Sequence, residues 1–196
     1  MAGRGAAGKV VDRPTAGQKT LIAVWDPLIR LVHWGLVLSI AVTWLTTTGP
    51  ASVHDGFGYA VLALIALRCL WGAFGPDKAR FVRFVRTPRA TLAYARALFR
   101  GREPRHVGHN PLGAWMIVAL LLTAFGAAAS GWLYTTDAYW GVAWVETLHS
   151  ILADLLLVLA AIHVGGVIVT SFRQHENLVA AMLHGRKRAP QGDDRP

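Results

Sequence analysis

The chain has 196 residues, of which 54% are hydrophobic and only 16% are charged, and its formal net charge at pH 7 is +9. Two stretches, 31–75 and 112–172, contain just five charged side chains, which excludes an ordinary soluble domain, because such a domain carries charge on the outer face of each element. The basic residues lie mainly in the two tails and one connection, which favours membrane orientation signals over nucleic-acid binding.

Four segments are long and apolar enough to cross a bilayer as helices, since about 20 apolar residues span its hydrocarbon core. We expect these helices at about 27–47, 55–74, 110–134 and 145–172. Asp26-Pro27 and Asn110-Pro111 are typical helix starts, with a capping side chain before a first-turn proline. The sequence therefore predicts an all-α integral membrane protein whose residues 27–172 form an up-down bundle of four transmembrane helices.

Basic residues set the expected orientation of the bundle. Nineteen of the twenty lysines and arginines lie in the N-terminal part up to Arg30, in the connection 76–110, or from Arg173 onward. By the positive-inside rule these parts face the cytoplasm, and 48–55 and 135–145 face the other side. We therefore expect a multi-pass protein of the bacterial inner membrane, with cytoplasmic tails over 1–26 and 173–196 and no cleavable signal peptide.

The basic cytoplasmic connection 76–110 is too long to be a bare turn. Large apolar residues alternate in it with arginines, from Phe81 to Arg100. This mixture is typical of a helix that lies on an anionic leaflet with its arginines at the headgroups, so membrane lipid is an expected partner. The alternative is that these arginines only set the topology.

Eight histidines are the candidate metal ligands, because the single cysteine, Cys69, allows neither a thiolate cluster nor covalent haem attachment. Four of them lie at or inside the predicted spans, namely His33, His54, His149 and His163. The last two are 14 residues apart, which is about 21 Å along one helix and on nearly the same face. One zinc ion cannot join side chains so far apart, so two sites at two depths are required.

Each depth offers a partner on another helix. His54 is level with His149 at the outer end, and His33 is level with His163 in the inner half. Two facing imidazoles from different helices suit the iron of a six-coordinate b-type haem, whose apolar ring fits a bundle interior. We therefore expect two non-covalent b haems. The alternatives are an outer-loop position for His54 and helix-to-helix hydrogen bonds for the other three.

Two other charged residues of the spans need an explanation. Arg68 follows His54 by 14 residues, which repeats the spacing of the two histidines on the fourth helix. We expect its guanidinium to bind a propionate of the inner haem. The alternative is that it only reaches the inner interface beside Trp71. The role of Asp154 stays open.

The motifs of the chain, taken together, resemble the bacterial cytochrome b561 family, especially the branch with the b-type cytochrome subunits of nickel-iron hydrogenases. The similarity runs from Val24 to about Arg188. It rests on Val24-Trp25-Asp26-Pro27 with Arg30, His33 and Trp34, on Leu67-Arg68-Cys69-Leu70-Trp71-Gly72, on Gly108-His109-Asn110-Pro111, on Ala161-Ile162-His163-Val164-Gly165 and on His175-Glu176-Asn177-Leu178-Val179.

This resemblance implies a four-helix membrane protein in which His33, His54, His149 and His163 bind two b haems. It also implies a c-type cytochrome or other periplasmic redox protein, and the membrane quinone pool, as redox partners. Because the chain is shorter than the hydrogenase subunits, a hydrogenase role is disfavoured.

These observations lead to the hypothesis of a diheme electron carrier of the respiratory chain, with no nucleic-acid partner. Two alternatives remain. One is a haem-bearing membrane anchor of a redox complex, and the other is a proton or metal transporter that uses Asp154 and the histidines. Whether the chain acts as a subunit of a quinone-linked oxidoreductase stays open.

Overall fold

The computed structural model describes residues 20–77, 79–190, 192 and 194, so the first part of the predicted N-terminal tail lies outside the described residues. In chain order the elements are β1 (Leu21–Ala23), α1 (Pro27–Leu45), α2 (Ala51–Phe74), α3 (Phe81–Phe84), α4 (Pro88–Phe99), α5 (Pro111–Tyr134), α6 (Ala143–Arg173), α7 (Leu178–His184) and β2 (Arg186–Arg188). The helices α1, α2, α5 and α6 are long and apolar enough to cross a membrane, by length and composition. They correspond to the four predicted spans.

The capping side chains explain where two of these helices begin. The carboxylate of Asp26 accepts hydrogen bonds from the backbone N–H of Leu28 at 2.9 Å and of Ile29 at 3.3 Å. The side chain of Asn110 accepts one from the N–H of Gly113 at 2.7 Å. Each bond satisfies an N–H that the first turn leaves free. Both predicted starts are therefore confirmed.

The predicted start of the second span, at Asp55 or Gly56, is wrong. Helix α2 begins at Ala51, with Pro50 in extended conformation as its N-cap. The carbonyl of Pro50 already accepts hydrogen bonds from Val53 and His54, at 3.0 and 3.4 Å. The proline therefore precedes the new helix and does not merely end the previous one. As a result, His54 lies in the first turn of α2.

The four spans pack unevenly. Helix α6 packs on α5, α5 on α2 and α2 on α1, whereas α1 and α6 are not closely packed against each other. The buried residues Val61, Ile65, Ala124 and Leu156 form a small aliphatic cluster in the middle of the bundle. We call the loosely packed boundary between α1 and α6 the seam. The aliphatic cluster lies beside it at mid-depth.

We call the end of the bundle that carries the connection 76–110 the basic end, and the opposite end, with Asp55, Asp137 and Glu146, the acidic end. At the basic end, β1 and β2 pair antiparallel and so join residues from both tails. This small sheet was not expected from the sequence. The carbonyl of Gly185 accepts hydrogen bonds from Val24 and Trp25 at 2.9 and 3.1 Å, which fixes the chain just before α1.

Gly72 allows the chain that follows α2 to fold back closely on it. A Cβ at this position would lie 2.1 Å from the Phe81 ring and 2.8 Å from an Nη of Arg68. We expect Gly72→Ala to displace Phe81 and to lower the free energy of unfolding by about 1–3 kcal/mol, as overpacking does. Thermal unfolding in detergent measures this loss. The matched control is Gly56→Ala in the same helix, where a Cβ meets no atom within 4 Å. Equal melting temperatures of the two variants would contradict the prediction.

Candidate haem-binding site

The structure brings His54 and His149 together at the acidic end of the bundle. The first lies in the first turn of α2, the second lies two turns into α6, and their ring centroids are 6.1 Å apart. Both side chains line a cavity of about 330 Å³ that all four spans enclose. The predicted outer pair is therefore adjacent in space.

Backbone carbonyls orient both imidazoles of this pair. Nδ1 of His54 lies 2.9 Å from the carbonyl oxygen of Thr43 on α1. Nδ1 of His149 lies 2.8 Å from the carbonyl oxygen of Ala127 on α5. Because a carbonyl can only accept, Nδ1 donates in each case and the lone pair of the neutral ring is on Nε2. A metal-binding histidine commonly has this arrangement, since the second hydrogen bond fixes its tautomer and orientation.

The structure also brings His33 and His163 together, closer to the basic end. Their ring centroids are 6.5 Å apart. These residues face each other from α1 and α6, the two spans that are not closely packed. The predicted inner pair is therefore adjacent too, and it lies in the seam.

The separation of the rings fits a metal ion between them better than a direct hydrogen bond. A metal–nitrogen bond of about 2.0 Å and about 1.1 Å from nitrogen to ring centroid, counted on both sides, give about 6 Å between centroids. A direct N–H···N bond of about 2.9 Å gives only about 5 Å. The observed 6.1 and 6.5 Å correspond to the first arrangement.

Some glycines of the spans leave room around these rings, and others have an ordinary packing role. A Cβ on Gly131 would lie 3.0 Å from the His149 ring, so this glycine permits the position of the imidazole. Gly58, Gly165 and Gly166 have no other group within 4 Å of their Cβ positions, which suits the approach of a flat macrocycle. Gly35 instead packs against Leu64 at 3.1 Å and has an ordinary packing role.

Apolar packing separates the two histidine pairs. Leu156 lies on α6 midway between His149 and His163, and it belongs to the aliphatic cluster with Val61 and Ile65 of α2. No charged residue belongs to this cluster. The space between the two pairs therefore contains aliphatic side chains.

Arg68 lies at the basic end of α2, as its spacing from His54 predicts, and only 6% of it is exposed. Its Nη1 donates to the carbonyl of Ala79 at 3.3 Å, and its guanidinium lies 4.4 Å from the centre of the Phe81 ring. Propionate binding and the alternative position at the inner interface beside Trp71 both remain predictions. The side chain stays buried and keeps other guanidinium nitrogens for a further acceptor.

His109 is a residue of this region whose environment the sequence did not reveal. Its ring packs between Trp25 at 4.5 Å and Phe84 at 4.7 Å, measured between centroids. Burial, together with the positive charges of Lys187 and Arg68 and the nearby His163, lowers the pKa of His109 to about 3, so this ring is neutral at pH 7. The only sequence signal was its position before the Asn110 cap. The neutral ring therefore fills the space between the basic end and the inner pair.

The other predicted polar residues are placed as follows. Asp154 is exposed on α6, and its side chain lines the cavity at the acidic end. His175 and His184 are exposed on the basic side. Among the described residues, no cluster of three or more His, Cys, Asp or Glu side chains could hold a metal ion by itself. The histidine pairs therefore suit a metal whose remaining ligands come from a macrocycle.

One comparison with known proteins identifies a family. The family model described as prokaryotic cytochrome b561 matches residues 24–185. No curated protein and no solved structure matches the chain. The matched segment begins just before α1 and ends just after α7, so it includes all four spans and all four paired histidines.

Proposed function

The chain belongs to the prokaryotic cytochrome b561 family, whose members are membrane b-type cytochromes that bind haem b and transfer electrons, and from this premise we propose that it is a diheme carrier between the quinone pool and a periplasmic redox protein. In this proposal His54 and His149 hold one haem, and His33 and His163 hold the other. The observation that carries the proposal is the pair of histidine distances, 6.1 and 6.5 Å, at two depths of one bundle.

The haem irons supply the one-electron chemistry, and the protein supplies ligands, orientation and a dry environment. The carbonyls of Thr43 and Ala127 hold the Nδ1 protons, so that both imidazoles of the outer pair present Nε2. The aliphatic cluster lies at mid-depth between the two pairs. Each pair would supply two histidine ligands to its haem, so oxygen binding at the iron is not part of the proposal.

We further propose that the basic end faces the cytoplasm of the bacterial inner membrane, with both termini on that side. The acidic end then faces the periplasm. Asp55, Asp137 and Glu146 lie there, and the described residues of that end include no lysine or arginine. An acidic surface attracts a basic partner such as a c-type cytochrome, weakly and in a manner that salt screens.

Haem quantitation and stopped-flow reduction test the proposed function. We expect the purified protein to contain about two b haems per chain by pyridine haemochrome, since each histidine pair provides two axial ligands. A quinol analogue should reduce them in detergent. A haem-bearing anchor would bind haem without competent reduction by quinol, and a transporter would give a colourless preparation. Either result would reject the carrier proposal.

A further inference from the structure

The helix α4 has two different faces. Thr91, Tyr94 and Leu98 share one face, and Tyr94 is buried against the bundle. Arg89, Arg96 and Arg100 recur at intervals of seven and four residues on the opposite face, where all three are exposed. We call these three residues the arginine face.

Large apolar side chains border the arginine face. Leu92 is 52% exposed and Phe99 is 90% exposed, both along one edge of it. Before α4, Val82 is 84% exposed. A helix that presents arginines beside uncovered apolar residues fits the boundary between lipid headgroups and acyl chains.

Two contacts fix this face at the depth of the membrane interface. The indole N–H of Trp115, in the first turn of α5, donates to the carbonyl of Arg86 at 3.1 Å. The Tyr94 ring packs edge-on against His106, with centroids 5.3 Å apart. Because Trp115 lies at the end of a spanning helix, where tryptophans prefer the headgroup layer, α4 begins at that level.

Among the described residues, the charges of the arginine face have no ion-pair partner. Asp77 pairs with Arg80 and Arg83, and Glu103 pairs with Arg173. In the part of the chain that the structure describes, no carboxylate lies within ion-pair distance of Arg89, Arg96 or Arg100. A cluster of fixed positive charge at headgroup depth is complementary to anionic phosphates.

We propose that the arginine face binds the phosphate groups of anionic phospholipids in the leaflet at the basic end. Leu92 and Phe99 insert between the acyl chains, and the three guanidinium groups bind the headgroups beside them. The basic end of the bundle thereby carries a fixed site for anionic lipid. This proposal does not depend on the number of haems.

Spin-labelled lipids test the proposal. The holoprotein is reconstituted in phosphatidylcholine vesicles, and electron paramagnetic resonance compares its association with labelled phosphatidylglycerol and labelled phosphatidylcholine. We expect the wild type to prefer phosphatidylglycerol at low salt, and the preference to weaken as salt is added. Arg89→Gln with Arg96→Gln should reduce the preference by about 25-fold, since each arginine near an anionic surface strengthens binding about fivefold.

Two further variants separate this site from general charge. Arg80→Gln with Arg83→Gln removes the same number of charges from arginines that already pair with Asp77, and should change the preference less than about twofold. Arg89→Lys with Arg96→Lys keeps the charge and should keep most of the preference. Equal losses in the two glutamine variants would overturn the proposal. The absence of any preference in the wild type would also overturn it, and would favour an acidic protein as the partner of the arginine face.

Discussion

Replacement of His163 by alanine is expected to lower the haem content from about two groups to about one per chain and to leave the outer haem in place. The reason is that a six-coordinate haem held by two imidazoles loses half of its axial ligation, while the acidic-end pair keeps its own carbonyl hydrogen bonds. The reciprocal variant, His149→Ala, should retain only the inner haem. Pyridine haemochrome gives the stoichiometry, and redox titration identifies which of the two haems remains.

The control for both variants is His175→Ala, which removes an exposed histidine near the basic end and should leave the haem content unchanged. The aliphatic cluster at mid-depth separates the two pairs, so the loss of one haem should not unfold the other site. Retention of both haems in His163→Ala, or the same remaining haem in both variants, would reject the proposed pairing.

Much of the fold was predictable because helices are rigid and locally encoded. Apolar stretches with few charged residues gave all four spans, and the Asp26 and Asn110 caps gave two starts to the residue. The start of α2 could not be inferred from a capping side chain, because its N-cap is Pro50, and α1 already ends at Leu45 with Thr46 as its C-cap. The sheet of β1 and β2 was not predictable, since strands of three residues show no periodicity and pair across most of the chain.

The histidine pairs were predictable from the same rigidity. A fixed rise per residue places His149 and His163 on one face at two depths, and the alternating direction of the spans places partners at those depths. The carbonyls of Thr43 and Ala127 could not be inferred, because every residue has a carbonyl and only packing selects one. The position of Phe81 against Arg68 depends on how the chain turns after α2, which no local pattern specifies.

Replacement of Arg68 by glutamine is expected to lower the midpoint potential of the inner haem by roughly 70 mV. Arg68 is buried at the basic end of α2, which is the end nearer to the inner histidine pair. A nearby positive charge disfavours the ferric state, which carries one more positive charge than the ferrous state, so its removal lowers the potential. A unit charge at a separation on the order of 10 Å and an effective dielectric constant of about 20 contributes about 1.7 kcal/mol, which corresponds to this shift for one electron.

Comparison with Arg68→Lys separates propionate binding from a purely structural role. Lysine keeps the charge but loses the planar contact with the Phe81 ring and the fixed donor to Ala79, so it should cost stability while largely preserving the potential. Arg68→Gln should lower both the stability and the midpoint potential of the inner haem. If Arg68 only holds α2 against the chain that follows it and its charge does not act on the inner haem, the two variants will melt at similarly reduced temperatures and both will keep the wild-type potential. The outer haem, at the far side of the aliphatic cluster, provides the internal reference for each titration, because its potential should move little in either variant.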